Sequence, residues 1–278
     1  MGFSGTIGVF DSGVGGLSVL HHIRRTLPDA HLIYVADSAH IPYGDKPASY
    51  IEQRSHTLTR FLVEQGAEAI VIACNTATAA AAASLRRDVK RPIIGMEPAV
   101  KPAVAVTQSG VVGVLATTGT LESARFAALL ERYGEEVEIV TQGCPGLVEQ
   151  VEQGDLDGLR TRELVARYTA PLLARGADTL ILGCTHYPFL APLIRDVVGD
   201  SITLVDTGKA VSRQLQRRIQ TELATRTKFA HPSIGSGRTG LDGSAQFFSS
   251  GDAAFASRIM SVLWGGAVVV QSIPLEFA

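Results

Sequence analysis

The chain carries one eight-residue phrase twice, and each copy ends in cysteine. Ala67–Cys74 reads AEAIVIAC and Ala177–Cys184 reads ADTLILGC, at an offset of 110 residues, with Gly66 and Gly176 immediately before them. Each copy is a glycine turn, a short aliphatic run, a cysteine, and then small polar residues: Asn75-Thr76 or Thr185-His186. A short continuous aliphatic run bounded by turn signals predicts a strand buried on both faces. Such a strand delivers its cysteine to its carboxyl end. A second echo, Ile7–Ser12 against Val112–Thr117, recurs at an offset of 105 residues. Each copy can open one half of the molecule as a first strand with a polar turn after it. Two matching halves that face one site are the simplest fold for this pattern.

Strand-like runs alternate with helical stretches along the chain. Strands are predicted at 6–10, 31–36, 69–73, 92–95, 111–115, 137–140, 179–183, 203–205, 246–249 and 267–270. Helices are predicted at 15–26, 49–65, 76–87 and 122–133 among others, the alanine-rich 77–83 stretch being a closely packing helix. This alternation is the α/β signature, with mostly parallel sheets and right-handed crossovers. The predicted fold is two pseudo-symmetric α/β domains with the active site in the cleft between them. Pro98 and Pro102 mark the handover, giving residues 1–98 plus 207–278 as the first domain and 99–206 as the second. The segment QFFSSGDAAFASRIMSVLW returns to complete the first domain, and Thr225–Ala245 contains an exposed loop.

With 278 residues the chain can bury two moderate cores. A formal net charge of −2 gives no global attraction to nucleic acid or to an anionic membrane. No apolar run reaches the roughly 18 residues that would cross a bilayer, and MGFSGTIGVF lacks a cationic start and a cleavage site. Three cysteines, with no CxxC and no Cys/His ligand spacing, argue against a disulfide scaffold or a structural zinc site. A cytoplasmic protein is expected.

Cys74 and Cys184 are the leading chemical candidates. At the carboxyl end of a parallel strand a thiol meets a helix amino end, where the dipole favours thiolate over the free value of about 8.5. Buried cysteine is also a common small hydrophobe, but the repeat and the polar neighbours favour chemistry. Asn75-Thr76 and Thr185-His186 fall where helix-start N–H groups hold carboxylates, although Asn and Thr also cap helices. Asp11 and Ser12 begin the glycine-rich turn DSGVGG, which fits neither GxGxxG in register nor the Walker pattern. Asp11 either pairs with a neighbouring base or caps a helix. His186 either tunes the thiol two residues earlier or serves as a structural hydrogen-bonder. Asp37, Tyr43 and Gly44 lie in VADSAHIPYGDKP, a pocket rim or an ordinary tight turn. Cys144 has no counterpart in the repeat and is read as structural.

A thiol on each face of one carbon suits proton removal from one side and return from the other, which inverts configuration. No lysine stands beside a glycine-rich phosphate cup, so a pyridoxal cofactor finds no support and none is expected. The motifs FDSGVGGLSVL, YVADSAHIPYGDKP, IACNTATA, LATTGTLES, GCPGLVEQVEQG, LILGCTHYPFL and LVDTG, with FFSSGD further on, closely resemble the cofactor-independent glutamate racemases of the aspartate/glutamate racemase superfamily. By position, the resemblance implies that Cys74 acts on D-glutamate and Cys184 on L-glutamate. It makes Asp11 and His186 their polar helpers and gives Asp37 and Glu152 secondary acidic roles. It implies substrate contacts from Asp11, Ser12, Tyr43, Gly44, Asn75, Thr76, Thr117, Thr120, Thr185 and His186, and no metal. It further implies a homodimeric cytoplasmic isomerase that supplies D-glutamate for peptidoglycan, and hence for the cell wall and cell shape.

Three other readings compete. Aspartate is the rival substrate, although aspartate-acting relatives tend to carry an acidic residue after GCT, where this chain has His186. A binding protein without catalysis would act on a protein partner, since no basic stripe for DNA is present. A redox pair or soft-metal clamp would use the two thiols differently.

Overall fold

The computed structural model describes residues 3–229 and 243–278. The chain runs β1 (Thr6–Asp11), α1 (Leu17–Thr26), β2 (His31–Ala36), α2 (Ala48–Glu64), β3 (Ala69–Ile72), α3 (Asn75–Asp88), β4 (Ile93–Ile94) and α4 (Val100–Val104). It continues through β5 (Val111–Ala116), α5 (Thr118–Leu121), α6 (Ala124–Tyr133), β6 (Glu138–Gly143), α7 (Leu147–Gln153), α8 (Leu159–Ala174), β7 (Thr179–Leu182), α9 (Ala191–Val198) and β8 (Thr203–Val205). It ends with α10 (Gly208–Phe229), β9 (Ala245–Ser249), α11 (Ala253–Trp264) and β10 (Val270–Ser272). The strands form two sheets, ordered β10-β9-β2-β1-β3-β4 and β6-β5-β7-β8, and every pairing is parallel.

The repeat is a repeat of structure. In the first sheet β1 lies beside β3 with Ile7 opposite Ala69 and Phe10 opposite Ile72. In the second, β5 lies beside β7 with Val112 opposite Thr179 and Leu115 opposite Leu182, the same register in both offsets. The turn before each copy also matches. Gly66 and Gly176 stand at φ 87° and 84°, a left-handed conformation that a side chain would strain. The next N–H, of Ala67 or Ala177, returns to the carbonyl of Leu62 or Leu172 and closes each helix.

β2, β3 and β7 are buried throughout, and β1 is buried beyond Thr6, because helices cover both faces of each sheet. One apolar cluster runs from Leu17, Leu20 and Tyr34 in the first lobe to Leu147, Val151, Leu180 and Tyr187 in the second. It joins the lobes on one side of the cleft. Two smaller clusters cover the remaining face of each sheet. α3 packs through Ala77, Ala81 and Ala82, all fully or almost fully buried.

β9 pairs with β2, so the late segment does return to the first sheet. One expectation needs correcting. β10 starts at Val270, where a strand was expected over 267–270; Ser257 and Ser261 hydroxyls take the N–H groups of Val270 and Val268, tying that stretch to α11 instead. α10 continues through Phe229, with no Gly or Pro after Gly208 to end it, so the first five residues of the 225–245 stretch are helical. The rest of the expected loop, 230–242, lies outside the described residues.

Candidate active site

Where the two lobes face each other, one small cavity is lined by Ser12, Tyr43, Gly44, Cys74, Asn75 and Thr76 from the first and by Thr117, Thr120, Cys184, Thr185 and His186 from the second, together with Pro42, Val148 and Gly183. Of the residues expected at the site, all but Asp11, Asp37 and Glu152 line this cavity, and both thiols are 8% exposed or less. About 20 Å³ is open to water, room for a single water molecule. An amino acid enters only if the lobes part. The walls touch closely on one rim, where a side chain at Gly119 would lie 2.9 Å from the Gly44 carbonyl.

The two thiols occupy equivalent places but are wired differently. Cys74 is itself the N-cap of α3 and accepts the Ala77 N–H at 3.4 Å. That leaves the Asn75 amide without a capping task, and both its polar atoms are buried and unpartnered. The Cys74 thiol points to the Ser12 hydroxyl at 3.9 Å, and Ser12 donates to Asp11 Oδ1 at 3.3 Å. Thr76 joins the Thr117 and Thr120 hydroxyls across the cleft at 3.0 and 3.2 Å.

Cys184 has another partner set. His186 Nδ1 lies 3.6 Å from its sulfur, and His186 Nε2 is 2.6 Å from Glu152 Oε1. The same carboxylate oxygen accepts the Val14 N–H of the first lobe at 2.7 Å. Thr185 donates across the cleft to Asp11 Oδ2 at 3.2 Å, and Ser18 donates to the Thr185 carbonyl at 2.8 Å. The residue equivalent to Asp11 in the second half is Ala116, so the carboxylate bonded to His186 comes from elsewhere in the chain.

The electrostatics correct one expectation and sharpen another. Burial pushes the Cys74 thiol well above its ordinary range, with the Asp11 carboxyl adding to the effect, so desolvation outweighs the dipole of α3. Cys184 does not open an α-helix. A 3₁₀ turn, Tyr187–Leu190, follows it, and α9 can begin only near Pro192, whose missing N–H is tolerated in a first turn. Burial opposes charge on His186, but its bonds to Cys184 and Glu152 prevail and hold its pKa well above the usual value.

Burial raises the Asp11 carboxyl from 3.8 to about 6, opposed by His186, assisted by Glu152, and opposed again by the Ser12 and Gly16 N–H groups. Because the folded protein holds this proton more tightly than the unfolded chain, Asp11 favours folding fully below pH 3.8. That contribution, about 3 kcal/mol, is lost as pH rises through about 6. Turnover should respond in the opposite sense. As pH falls through about 6 the carboxylate takes up a proton, and kcat/KM should drop with an inflection there. A pH profile of turnover checks this, and residual activity of Asp11→Asn should lack the inflection.

Asp37 does not reach the cavity. It is fully buried behind Tyr43, accepts the Tyr43 hydroxyl at 2.6 Å, and is gripped by Arg54 at 2.7 and 3.0 Å. Arg54 also donates to the Phe277 and Ala278 carbonyls. Sequence reasoning missed this arginine; an Arg on the buried stripe of a helix was the available signal. Asp11 likewise sits beneath the lining residues. Cys144 lies outside the lining, donates to the Gln142 carbonyl at 3.3 Å, and is pushed up to about 12 by burial.

Two parallel α/β lobes thus bring a cysteine from each to one small cavity. A family model described as Asp/Glu/hydantoin racemase matches residues 7–215, and the chain belongs to that family. Within it the likeness is to glutamate racemases. The chain is 56% identical to the glutamate racemase of Methylococcus capsulatus over 272 residues, covering 98% of this chain and 96% of that protein. The fold matches the structure of a Bacillus anthracis glutamate racemase isoform with a TM-score of 0.82, at 30% identity and covering 98% of each chain. It matches Escherichia coli glutamate racemase, solved with L-glutamate and the activator UDP-MurNAc-Ala, with a TM-score of 0.80, at 32% identity and covering 97% of this chain and 98% of that one.

Proposed function

We propose that this protein interconverts L- and D-glutamate by moving the α-proton between two thiols, without a cofactor. The observation that carries the reading is the pair of equivalent cysteines, one from each lobe, lining a single cavity with different acid–base partners. From L-glutamate, the Cys184 sulfur takes the α-proton, and the carbanion-like carbon takes a proton from the Cys74 thiol on the opposite face. The result is D-glutamate, a protonated Cys184 and a Cys74 thiolate. Burial keeps Cys74 protonated before this step, the form that direction requires. In reverse, Ser12 and Asp11 take the Cys74 proton, while His186 and Glu152 serve Cys184.

The unpartnered Asn75 amide, the first N–H groups of α3 and the Thr76, Thr117, Thr120 and Thr185 hydroxyls are the substrate-binding set. Tyr43 and Gly44 shape the rim, and Asp37 acts through Tyr43 as a positioning residue. We assign residues 1–98 plus 207–278 to one domain and 99–206 to the other, and the strand membership of the two sheets supports that assignment. We assign the protein to the bacterial cytoplasm as a homodimer feeding peptidoglycan synthesis. No described helix is long and apolar enough to cross a membrane.

Incubating L-glutamate with the protein in heavy water, with nothing added, tests the reaction. D-Glutamate carrying deuterium at the α-carbon should accumulate until the enantiomers are equal. Retention of protium in the product, dependence on added pyridoxal phosphate, or a clear preference for aspartate would overturn the reading. Rescue of a strain that requires D-glutamate tests the cellular role.

A further inference from the structure

The turn Gly13-Val14-Gly15 belongs to the first lobe, yet it touches the machinery of the second lobe's thiol. Neither glycine is in the left-handed region, so no backbone conformation demands glycine there. Space does. A Cβ on Gly15 would overlap His186 Nδ1, the nitrogen that faces Cys184, and would lie 2.6 Å from ring atoms Cγ and Cε1. A Cβ on Gly13 would overlap Glu152 Oε1 and lie 2.7 Å from Cδ of the same carboxyl group. The His186 ring cannot swing aside cheaply, being 1% exposed and bonded at both nitrogens. Between the two glycines the Val14 N–H donates to the very oxygen that holds His186 Nε2.

We propose that Gly13–Gly15 is a bare backbone seat against which the Glu152–His186 pair of the opposite lobe is registered. The proton relay of Cys184, formed within the second lobe, is thereby held in register by the backbone of the first. The relay of Cys74 has no such seat, since no described glycine of the second lobe presses on Asp11, Ser12 or Cys74. The three residues of the turn are positioning residues. The inference rests on the two-thiol reading above.

Gly15→Ala tests it, read by deuterium entry at the α-carbon of each enantiomer separately. Racemisation should fall about 100-fold or more, the scale expected when a catalytic group is displaced by about 1 Å. Exchange into L-glutamate should fall with it, while exchange into D-glutamate through Cys74 stays within about tenfold of wild type. The added methyl should also lower Tm by several degrees. Combining Gly15→Ala with His186→Ala removes the obstructed ring, so Tm should return to that of His186→Ala alone. In that background the methyl should cost no further exchange into D-glutamate.

Racemisation within about threefold of wild type in Gly15→Ala would overturn the proposal. So would equal loss of exchange from both enantiomers in a folded variant, or a Tm that stays low in the double variant. If Gly15→Ala does not fold, the comparison of His186→Ala with the double variant decides, since further loss there refutes the seat. Wild-type protein that exchanges neither enantiomer would instead sink the two-thiol reading, and the proposal with it.

Discussion

Cys184→Ala should stop inversion while leaving one enantiomer still able to exchange its α-proton. The loss is expected at roughly 10²–10⁴-fold, the contribution of a positioned acid–base group. D-Glutamate would still meet Cys74, whose path through Ser12 to Asp11 lies wholly in the first lobe. Deuterium should therefore enter D-glutamate without formation of the L isomer. Cys74→Ala should give the mirror result, exchange into L-glutamate through the Cys184–His186–Glu152 path. Circular dichroism follows inversion and proton NMR follows exchange. A single variant that racemises at more than about a tenth of the wild-type rate would be incompatible with two obligatory thiols. The same pair of variants separates catalysis from a pure binding role, which would survive both changes.

Arg54→Met should destabilise the fold by about 3–5 kcal/mol, the usual consequence of stranding one member of a buried ion pair. Asp37 is fully buried, and its oxygens are held by Arg54 and by the Tyr43 hydroxyl. Without the guanidinium that carboxylate keeps its desolvation cost and loses its strongest partner. Arg54 also ties down the carbonyls of Phe277 and Ala278, so the chain end loosens with it. Tm should fall by about 6–20 °C. Because Tyr43 lines the cavity, KM should rise as well. Adding Asp37→Asn removes the stranded charge and should restore part of the Tm. A fall of less than about 2 °C in Arg54→Met would mean that the pair stabilises nothing.

What was legible in the sequence depended on distance along the chain. The sheets were readable because β3 and β7 are buried on both faces, which turns Ala-Ile-Val-Ile and Thr-Leu-Ile-Leu into unbroken apolar runs. Cys74, Asn75 and Thr76 followed, because a strand end and a helix start fix their positions together. The environment of Cys184 was less legible. Its 3₁₀ turn depends on how Pro188 and Pro192 divide the backbone, and the repeat suggested a helix there by analogy. The shift at Cys74 was read with the wrong sign, because burial outweighs the helix dipole and burial is not visible in a local motif. The contacts that cross the cleft were equally hidden. Val14 and Glu152 are 138 residues apart, and the bond uses a backbone N–H that any non-proline residue would offer. Asp37 was noticed as an acid, but its burial behind Tyr43 was not, because that depends on an arginine one helix away.

The matched register of β1 with β3 and of β5 with β7 makes each lobe half of a chamber. One lobe taken alone offers a single cavity-lining thiol and one wall. The two walls are alike in backbone and unlike in chemistry, since residue 11 is a carboxylate where its equivalent, residue 116, is alanine.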